Sequence, residues 1–137
     1  GSSKLNQLYR QLTKLILVDE ADNFMCEGFS SLKKILKEGR EFGVGTILST
    51  QFLKHFGSGE DDYSKYILTW VVHNVADLKN SDVDFVFKTE SKSQEAQALF
   101  NDIKGLKKHH SIVKIGNARP EYIQDKAFWE LYNELNL

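Results

Sequence analysis

The chain has 137 residues, of which 41% are hydrophobic and 27% are charged, a composition that favours one compact domain and excludes a disordered tail. The formal net charge of -1 excludes a globally basic, polyanion-binding surface. The single cysteine, Cys26, cannot form an internal disulfide, and no apolar stretch is long enough to cross a bilayer. We therefore expect a cytoplasmic protein without membrane contact.

Helical and strand patterns alternate along the first half of the chain. The predicted elements are a helix over 5–12, a strand over 15–18, a helix that starts at Ser30 or Ser31 and ends near Gly39 or Gly43, a strand over 46–49 and a polar turn over 56–62. The strand over 15–18 is apolar without alternation, which predicts burial on both faces of a parallel sheet.

The second half continues the alternation and closes with a hairpin and a helix. The predicted elements are a strand over 67–75, a helix over 96–103 with Ser91 and Gln94 as a capping box, strands over 110–115 and 119–124 around a turn at Gly116-Asn117-Ala118, and a helix over 127–135 that buries Phe128, Leu131, Tyr132 and Leu135. Strands interleaved with helices imply right-handed crossovers. The predicted fold class is α/β, with a mostly parallel sheet, flanking helices and a C-terminal antiparallel hairpin.

Residues 15–22 read LILVDEAD, a buried strand that ends in adjacent carboxylates, like the Walker B strand of nucleotide-hydrolysing proteins. Strands of a parallel sheet deliver their last residues to the edge where ligands bind. Asp19 would hold the water shell of a Mg²⁺ ion, and Glu20 would orient or deprotonate the water that attacks a phosphorus. Asp22 would help to hold that water shell or would cap the next helix. The alternative is that ordinary solvated acids follow a buried strand.

The next predicted strand ends in Thr50 and Gln51, which would gather at the same edge as Asp19 and Glu20. Their hydroxyl and amide groups would sense a γ-phosphate or its attacking water. A Thr-Gln pair alone carries little information. Together with the upstream Val-Asp-Glu, it forms a pattern that is more specific than the pair alone.

These runs resemble the second half of the HerA and FtsK group of P-loop ATPases, which are hexameric motors that pump DNA. The matching segments are LILVDEADNF, ILKEGREFGVGTILSTQ and the closing LKKHHSIVKIGNARPEYIQ. The resemblance implies a partial RecA-like P-loop ATPase core, ATP and Mg²⁺ as cofactors, DNA as a partner and a homo-oligomeric, hexameric ring. Gly39 and Arg40 match the family's Gly-Arg pair. Arg40 would then reach a neighbouring subunit's nucleotide, and its alternative is a solvated arginine at a helix end.

Within this group, the motifs are most similar to those of the ATPases of phosphorothioation-dependent DNA restriction, a bacterial defence against unmodified DNA. That similarity implies partner subunits of a restriction complex. The sequence departs from the family in one respect, because it has no Gly-rich loop that ends in Gly-Lys-Ser or Gly-Lys-Thr.

The absence of this loop determines the activity and the nucleotide binding that we expect of the chain by itself. Gly1, Ser2 and Ser3 look like a cloning remnant, so residues 4–137 would be the C-terminal portion of an ATPase domain. Alone it would be inactive and would hold no ATP or Mg²⁺ tightly. Removal of the phosphate-binding strand would also leave a sheet edge unpaired, which invites self-association.

Two other classes of protein stay open. Residues 19–22 spell the DEAD motif of an RNA helicase family, but that family's next strand ends in Ser-Ala-Thr, whereas Ser49-Thr50-Gln51 stands here. The other class is a non-catalytic module that keeps the fold and docks to other subunits.

Several further side chains have a functional and a structural interpretation. A basic cluster would contact a DNA backbone or form a solvated helix end; its members are Lys104, Lys107, Lys108, His109 and His110. His73 is predicted to be a core histidine. Trp70 and Trp129 are predicted to pack in the core or at an interface.

Overall fold

The computed structural model describes residues 14–25, 30–51, 56 and 62–135. The chain divides into two compact units, Gly1–Ile67 and Leu68–Leu137. The predicted helix over 5–12 and Cys26 lie outside the described residues. In the described part of the chain, no helix has both the length and the apolar character that a bilayer span requires.

A parallel pair of strands organises the first unit. β1 (Lys14–Val18) pairs with β2 (Val44–Leu48), with Lys14 opposite Val44 and Val18 opposite Leu48. The helix α1 (Ser30–Glu38) connects them and continues into a 3₁₀ turn over Gly39–Phe42. The predicted strands and helix are confirmed, although β2 begins two residues earlier than expected.

The turn between α1 and β2 ends at Gly43, whose φ is 66°. This left-handed backbone favours glycine, which has no Cβ to clash with the following carbonyl. Gly43 therefore lets the chain reverse from the helix into the strand, as its position at the predicted helix end suggested.

Small clusters of apolar side chains hold the first unit together. Its buried hydrophobic residues, as far as the structure describes it, are Ala21, Met25, Leu32, Phe56 and Tyr63. Phe56 was predicted to begin a polar turn, but only 2% of it is exposed. Its carbonyl accepts hydrogen bonds from the amides of Tyr63 (2.7 Å) and Ser64 (3.2 Å). Phe56 thus lies at a turn, as predicted, but its side chain belongs to the core.

Burial of β1 on both faces is also wrong for the described residues. Leu15 and Leu17 are each 69% exposed, and Ile47 on the neighbouring strand is 53% exposed. These side chains project from one face of the two strands, because alternate residues of a strand point to the same side. Among the described residues of this unit, no layer covers that face.

The second unit is built on an antiparallel sheet. Its strands are β3 (Thr69–Val72), β4 (His110–Ile115) and β5 (Glu121–Gln124), in the order β3-β4-β5. The predicted hairpin is confirmed, with Gly116 in the left-handed region and Ala118 donating its amide hydrogen to Ile115. A mixed α/β fold is therefore established.

The prediction of a mostly parallel sheet is wrong for the described strands. Only β1 and β2 pair in parallel, and β3 runs antiparallel to β4. The third strand is also shorter than the predicted 67–75, because the chain after Val72 leaves the ladder. His73 lies in that segment and is exposed instead of buried in a core.

Three helices accompany this sheet, namely α2 (Asn80–Phe87), α3 (Gln94–Lys104) and α4 (Phe128–Glu134). The sequence analysis predicted α3 and α4 but missed α2. Ser93, not Ser91, caps α3, since its hydroxyl oxygen accepts a hydrogen bond from the amide of Ala96 at 3.1 Å. This is the usual N-cap geometry, in which a side-chain oxygen satisfies an unpaired amide of the first turn.

The core of the second unit lies between the sheet and the helices. Its buried hydrophobic residues are Leu78, Val83, Val86, Phe87, Ala96, Leu99, Ile103, Ile112 and Ala127. Trp70 on β3 is half-buried and meets Phe85 of α2 edge to face, with 5.9 Å between ring centroids. Trp70 therefore packs as predicted.

The closing helix differs from its prediction. Phe128, Leu131, Tyr132 and Leu135 were expected to be buried, but all four are exposed, with Phe128 at 77%. The buried residue at this end is Ala127, which immediately precedes α4. Lys126 is paired with Glu134 at 2.5 Å along the helix surface, and Trp129 contacts His109 with 6.0 Å between ring centroids.

The hydroxyl of Tyr122 on β5 donates a hydrogen bond to a carboxylate oxygen of Asp102 on α3. Partial burial, this hydrogen bond and the charge of Asp102 raise the pKa of Tyr122 from 10.0 to about 12. The folded state therefore binds this proton more tightly than the unfolded state does. The resulting stabilisation is complete below pH 10 and is lost as the pH rises towards 12.

We predict that Tyr122→Phe lowers the thermal unfolding midpoint at neutral pH. Thermal unfolding of both proteins across a pH series will show the difference between them shrinking between about pH 10 and 12, because the wild type loses its proton there. The control variant is Asp102→Asn, which removes the negative charge of the group that accepts the hydrogen bond from Tyr122. A difference that is constant over this range would contradict the assignment.

Candidate functional site

The carboxyl ends of β1 and β2 meet at one edge of the first unit. The amide of Ser49 donates to the carbonyl of Val18 at 2.9 Å, and the amide of Ala21 donates to the carbonyl of Ser49 at 2.8 Å. The parallel ladder thus continues beyond both strands. It brings the Asp19-Glu20 pair and the Thr50-Gln51 pair to the same edge, as the sequence predicted.

The turn that follows β1 has an unusual backbone. Glu20 has φ 49° and ψ 48°, in the left-handed region, and its amide donates to the carboxylate of Asp19 at 3.0 Å. A residue with a Cβ adopts this conformation at a cost of roughly 1–2 kcal/mol. Ala21 fixes the turn, since it is fully buried and its carbonyl accepts the amides of Phe24 and Met25. Strain of this kind is concentrated at functional positions.

The side chains of Asp19 and Glu20 are exposed at this edge. The side-chain amide Nδ2 of Asn23 donates to Oε2 of Glu20 at 3.5 Å. Carboxylate oxygens are the donors that Mg²⁺ prefers, and Mg²⁺ commonly keeps most of its water ligands when it binds one or two carboxylates. The donors at the edge therefore suit a hydrated Mg²⁺ ion. In the described part of the chain, no three acidic, histidine or cysteine side chains are grouped at metal-binding distance.

Thr50 and Asp22 connect the two strand ends. The Thr50 hydroxyl donates to Oδ1 of Asp22 at 3.1 Å, and both side chains are partly buried. A hydroxyl has a single hydrogen, and in this arrangement the hydrogen of Thr50 is donated to Asp22. The predicted role of Thr50 as a donor to a phosphate would require this hydrogen bond to open. Gln51 is exposed and directly follows Thr50.

Asp22 makes a contact that the sequence did not predict, and its predicted role in holding the water shell of Mg²⁺ stays a prediction. It lies inside the 3₁₀ turn over Ala21–Asn23, whose N-cap is Glu20, so Asp22 is not a helix cap. Its carboxylate instead orients Thr50. The sequence only weakly indicated this contact. When two parallel strands pair with Val18 opposite Leu48, the polar residues that follow both strands come close together.

Arg40 lies elsewhere. It is an exposed residue of the 3₁₀ turn over Gly39–Phe42, which precedes β2. It is therefore at the amino end of a five-residue strand, about 16 Å along the sheet from the edge that carries Asp19. Arg40 does not join the site formed by its own chain, and a role towards a neighbouring subunit stays a prediction.

The predicted basic cluster is only partly available to a ligand. The Lys104 ammonium donates to the carbonyls of Val75 (3.3 Å) and Ala76, so Lys104 fixes the loop after β3. Lys107 and Lys108 are exposed. This arrangement favours a structural role for Lys104 at the end of α3.

No protein-family model matches the chain, and no curated protein matches it. The geometry described above, together with the motifs, is therefore the basis for a functional proposal.

The hydrogen bond between Thr50 and Asp22 can be measured with a double-mutant cycle of Thr50→Val and Asp22→Ala. We expect a coupling free energy of about 1.5 kcal/mol from chemical denaturation, because the acceptor is charged and the bond is only partly buried. Thr46→Val, on β2 and away from this edge, is the matched control and should show no coupling to Asp22→Ala. Equal coupling for both threonines would contradict the contact.

Proposed function

We propose that this chain is the C-terminal part of the ATPase domain of a HerA/FtsK-type DNA translocase. One observation carries the proposal: parallel pairing of β1 and β2 brings the Val-Asp-Glu and Ser-Thr-Gln strand ends to one edge. Ligands of parallel sheets bind at such edges. The left-handed turn at Glu20 supports the proposal further, since it exposes adjacent carboxylates immediately after the strand.

In this proposal the acids at the edge have separate roles. Asp19 holds the water shell of Mg²⁺, and Glu20 orients or deprotonates the attacking water. Asp22 positions Thr50, and Gln51 contacts the γ-phosphate or that water. Bound Mg²⁺ supplies positive charge that neutralises the phosphate oxygens of ATP.

The cradle for the phosphates must come from polypeptide other than this chain. The sequence has no Gly-Lys-Ser or Gly-Lys-Thr loop, and none of the edge residues supplies a cation to the phosphates. The exposed face formed by Leu15, Leu17 and Ile47 is consistent with further covering layers, because the faces of parallel sheets are normally buried. The isolated chain is therefore proposed to be inactive.

The biological setting follows from the motif resemblance. The motifs are most similar to those of DptH, the ATPase of phosphorothioation-dependent restriction. We propose that the intact protein acts on DNA in the cytoplasm, as a homo-oligomeric ring with other subunits of a restriction complex. Arg40, which lies away from its own chain's edge, would then serve the nucleotide of a neighbouring subunit.

The proposal predicts that Glu20→Gln in the full-length gene product lowers kcat for ATP hydrolysis by roughly 10²–10⁴-fold, the usual contribution of a general base. Nucleotide binding should be retained, because the change removes one charge without altering the side chain's size. Steady-state ATPase assays and nucleotide titrations measure the two effects. Glu41→Gln, an exposed glutamate of the 3₁₀ turn before β2, is the matched control. An unchanged rate in Glu20→Gln would reject the catalytic role.

The exposed apolar side chains favour a second candidate, a non-catalytic docking module. Leu15, Leu17 and Ile47 of the first unit form an apolar face of the kind that protein interfaces bury. An ATPase rate that does not depend on Glu20, combined with loss of complex assembly in Leu17→Ser, would favour this function. Loss of ATPase activity in Glu20→Gln favours the motor.

A further inference from the structure

A groove lies beside α1 in the first unit, away from the residues proposed for phosphate chemistry. Its volume is about 230 Å³, and its lining residues are Ser30, Lys33, Lys34, Lys37, Glu38 and Tyr66. Three of these six residues are lysines. We call Lys33, Lys34 and Lys37 the basic stripe.

The basic stripe follows one face of α1. Ser30, Lys33, Lys34, Lys37 and Glu38 occur at the spacing i, i+3, i+4, i+7 and i+8, which places them on one side of a helix. The opposite side carries Leu32, which is buried, and Ile35 and Leu36, which are half-buried. The apolar face thus holds α1 in the unit, and the basic stripe faces the groove along the helix.

The charges of the stripe are not arranged for helix stability. Lys33 and Lys37 are four residues apart, a spacing at which like charges repel. Lys34 precedes Glu38, the less favourable order for an oppositely charged pair, and the first turn of α1 contains no acidic residue. The order of Lys34 and Glu38 therefore contributes little to the stability of the helix itself.

Tyr66 adds an aromatic surface to the groove. It ends the 3₁₀ turn over Ser64–Tyr66 and is half-buried. The exposed Lys65 ammonium lies 5.4 Å from the centre of its ring. Lysines next to an aromatic ring are the combination that binds single-stranded nucleic acids, in which the cations neutralise phosphates and the ring stacks on a base.

We propose that the basic stripe and Tyr66 bind a single strand of DNA through its phosphodiester backbone. Lys33 and Lys37 are four residues apart, so the basic stripe extends over about 6 Å of the helix axis. The three lysines therefore form a row of cations that can contact successive phosphates of one strand, an arrangement that suits a strand better than one free phosphate. Glu38 closes one end of the groove with a negative charge. The choice of DNA as the polyanion rests on the proposed function; the location of the site does not.

The test uses a fluorescently labelled single-stranded oligonucleotide and fluorescence anisotropy at several salt concentrations. Lys34→Gln/Lys37→Gln should weaken binding about tenfold and reduce the slope of log K against log salt by about 1.4, because each of the two lost phosphate contacts contributes about 0.7. Glutamine keeps a helix propensity near that of lysine, and circular dichroism will confirm that the helix is retained.

The matched control is Lys79→Gln/Lys92→Gln, which removes two exposed lysines of the second unit that lie outside the predicted basic cluster. Its affinity and salt slope should equal those of the wild type. Equal losses in the two double variants, or a larger loss in the control, would overturn the proposal. So would a wild type that does not bind the oligonucleotide.

Two further arms identify the ligand. Tyr66→Leu should weaken binding of the single strand, whereas Tyr66→Phe, which keeps the ring, should not. Inorganic phosphate, added at constant ionic strength, should fail to displace the oligonucleotide; displacement would show a site for free phosphate instead. These outcomes do not depend on Glu20, so failure of the basic stripe is distinguishable from failure of the ATPase proposal.

Discussion

Parallel pairing between β1 and β2 is the constraint on which the candidate site depends. Since the two strands run in the same direction, the residues that follow them leave the sheet at one edge, and the contacts of Ser49 with Val18 and of Ala21 with Ser49 fix their relative height. A slip of one residue would turn every side chain of a strand to the opposite face. It would also separate Thr50 from Asp22. The chemistry proposed for this edge therefore requires the observed register.

The first unit combines this register with features that oppose stability. Glu20 has a left-handed backbone, the face formed by Leu15, Leu17 and Ile47 is exposed, and the basic stripe places like charges next to one another. Sheets of two strands are marginally stable by themselves. Further polypeptide packed on the apolar face would bury these side chains, as is usual for parallel sheets. The second unit has a different construction, in which β4 pairs with both β3 and β5 in an antiparallel sheet.

Local patterns predicted the elements well and the tertiary contacts poorly. The strand over 15–18, the helix from Ser30 and the hairpin around Gly116 were predictable because periodicity and turn residues act within a few positions. Helix α2 was missed because its sequence, NSDVDFVF, is rich in β-branched and aromatic residues that are typical of strands. The pairing of β3 with β4 and the exposure of α4 depend on distant parts of the chain. The edge residues were predictable from strand direction alone. The contact between Asp22 and Thr50 depends on the conformation of the chain after both strands, which the local pattern does not determine.

The most direct test of this account is nuclear magnetic resonance of the labelled chain, with cross-strand Overhauser effects and amide exchange measured together. The account predicts contacts between Ile16 and Thr46 in the parallel pattern, and slow exchange of the Ser49 and Ala21 amides, which close the ladder at the edge. Antiparallel contacts between the two segments, or fast exchange of both amides in an otherwise folded unit, would place Asp19 and Thr50 apart and contradict the central claim.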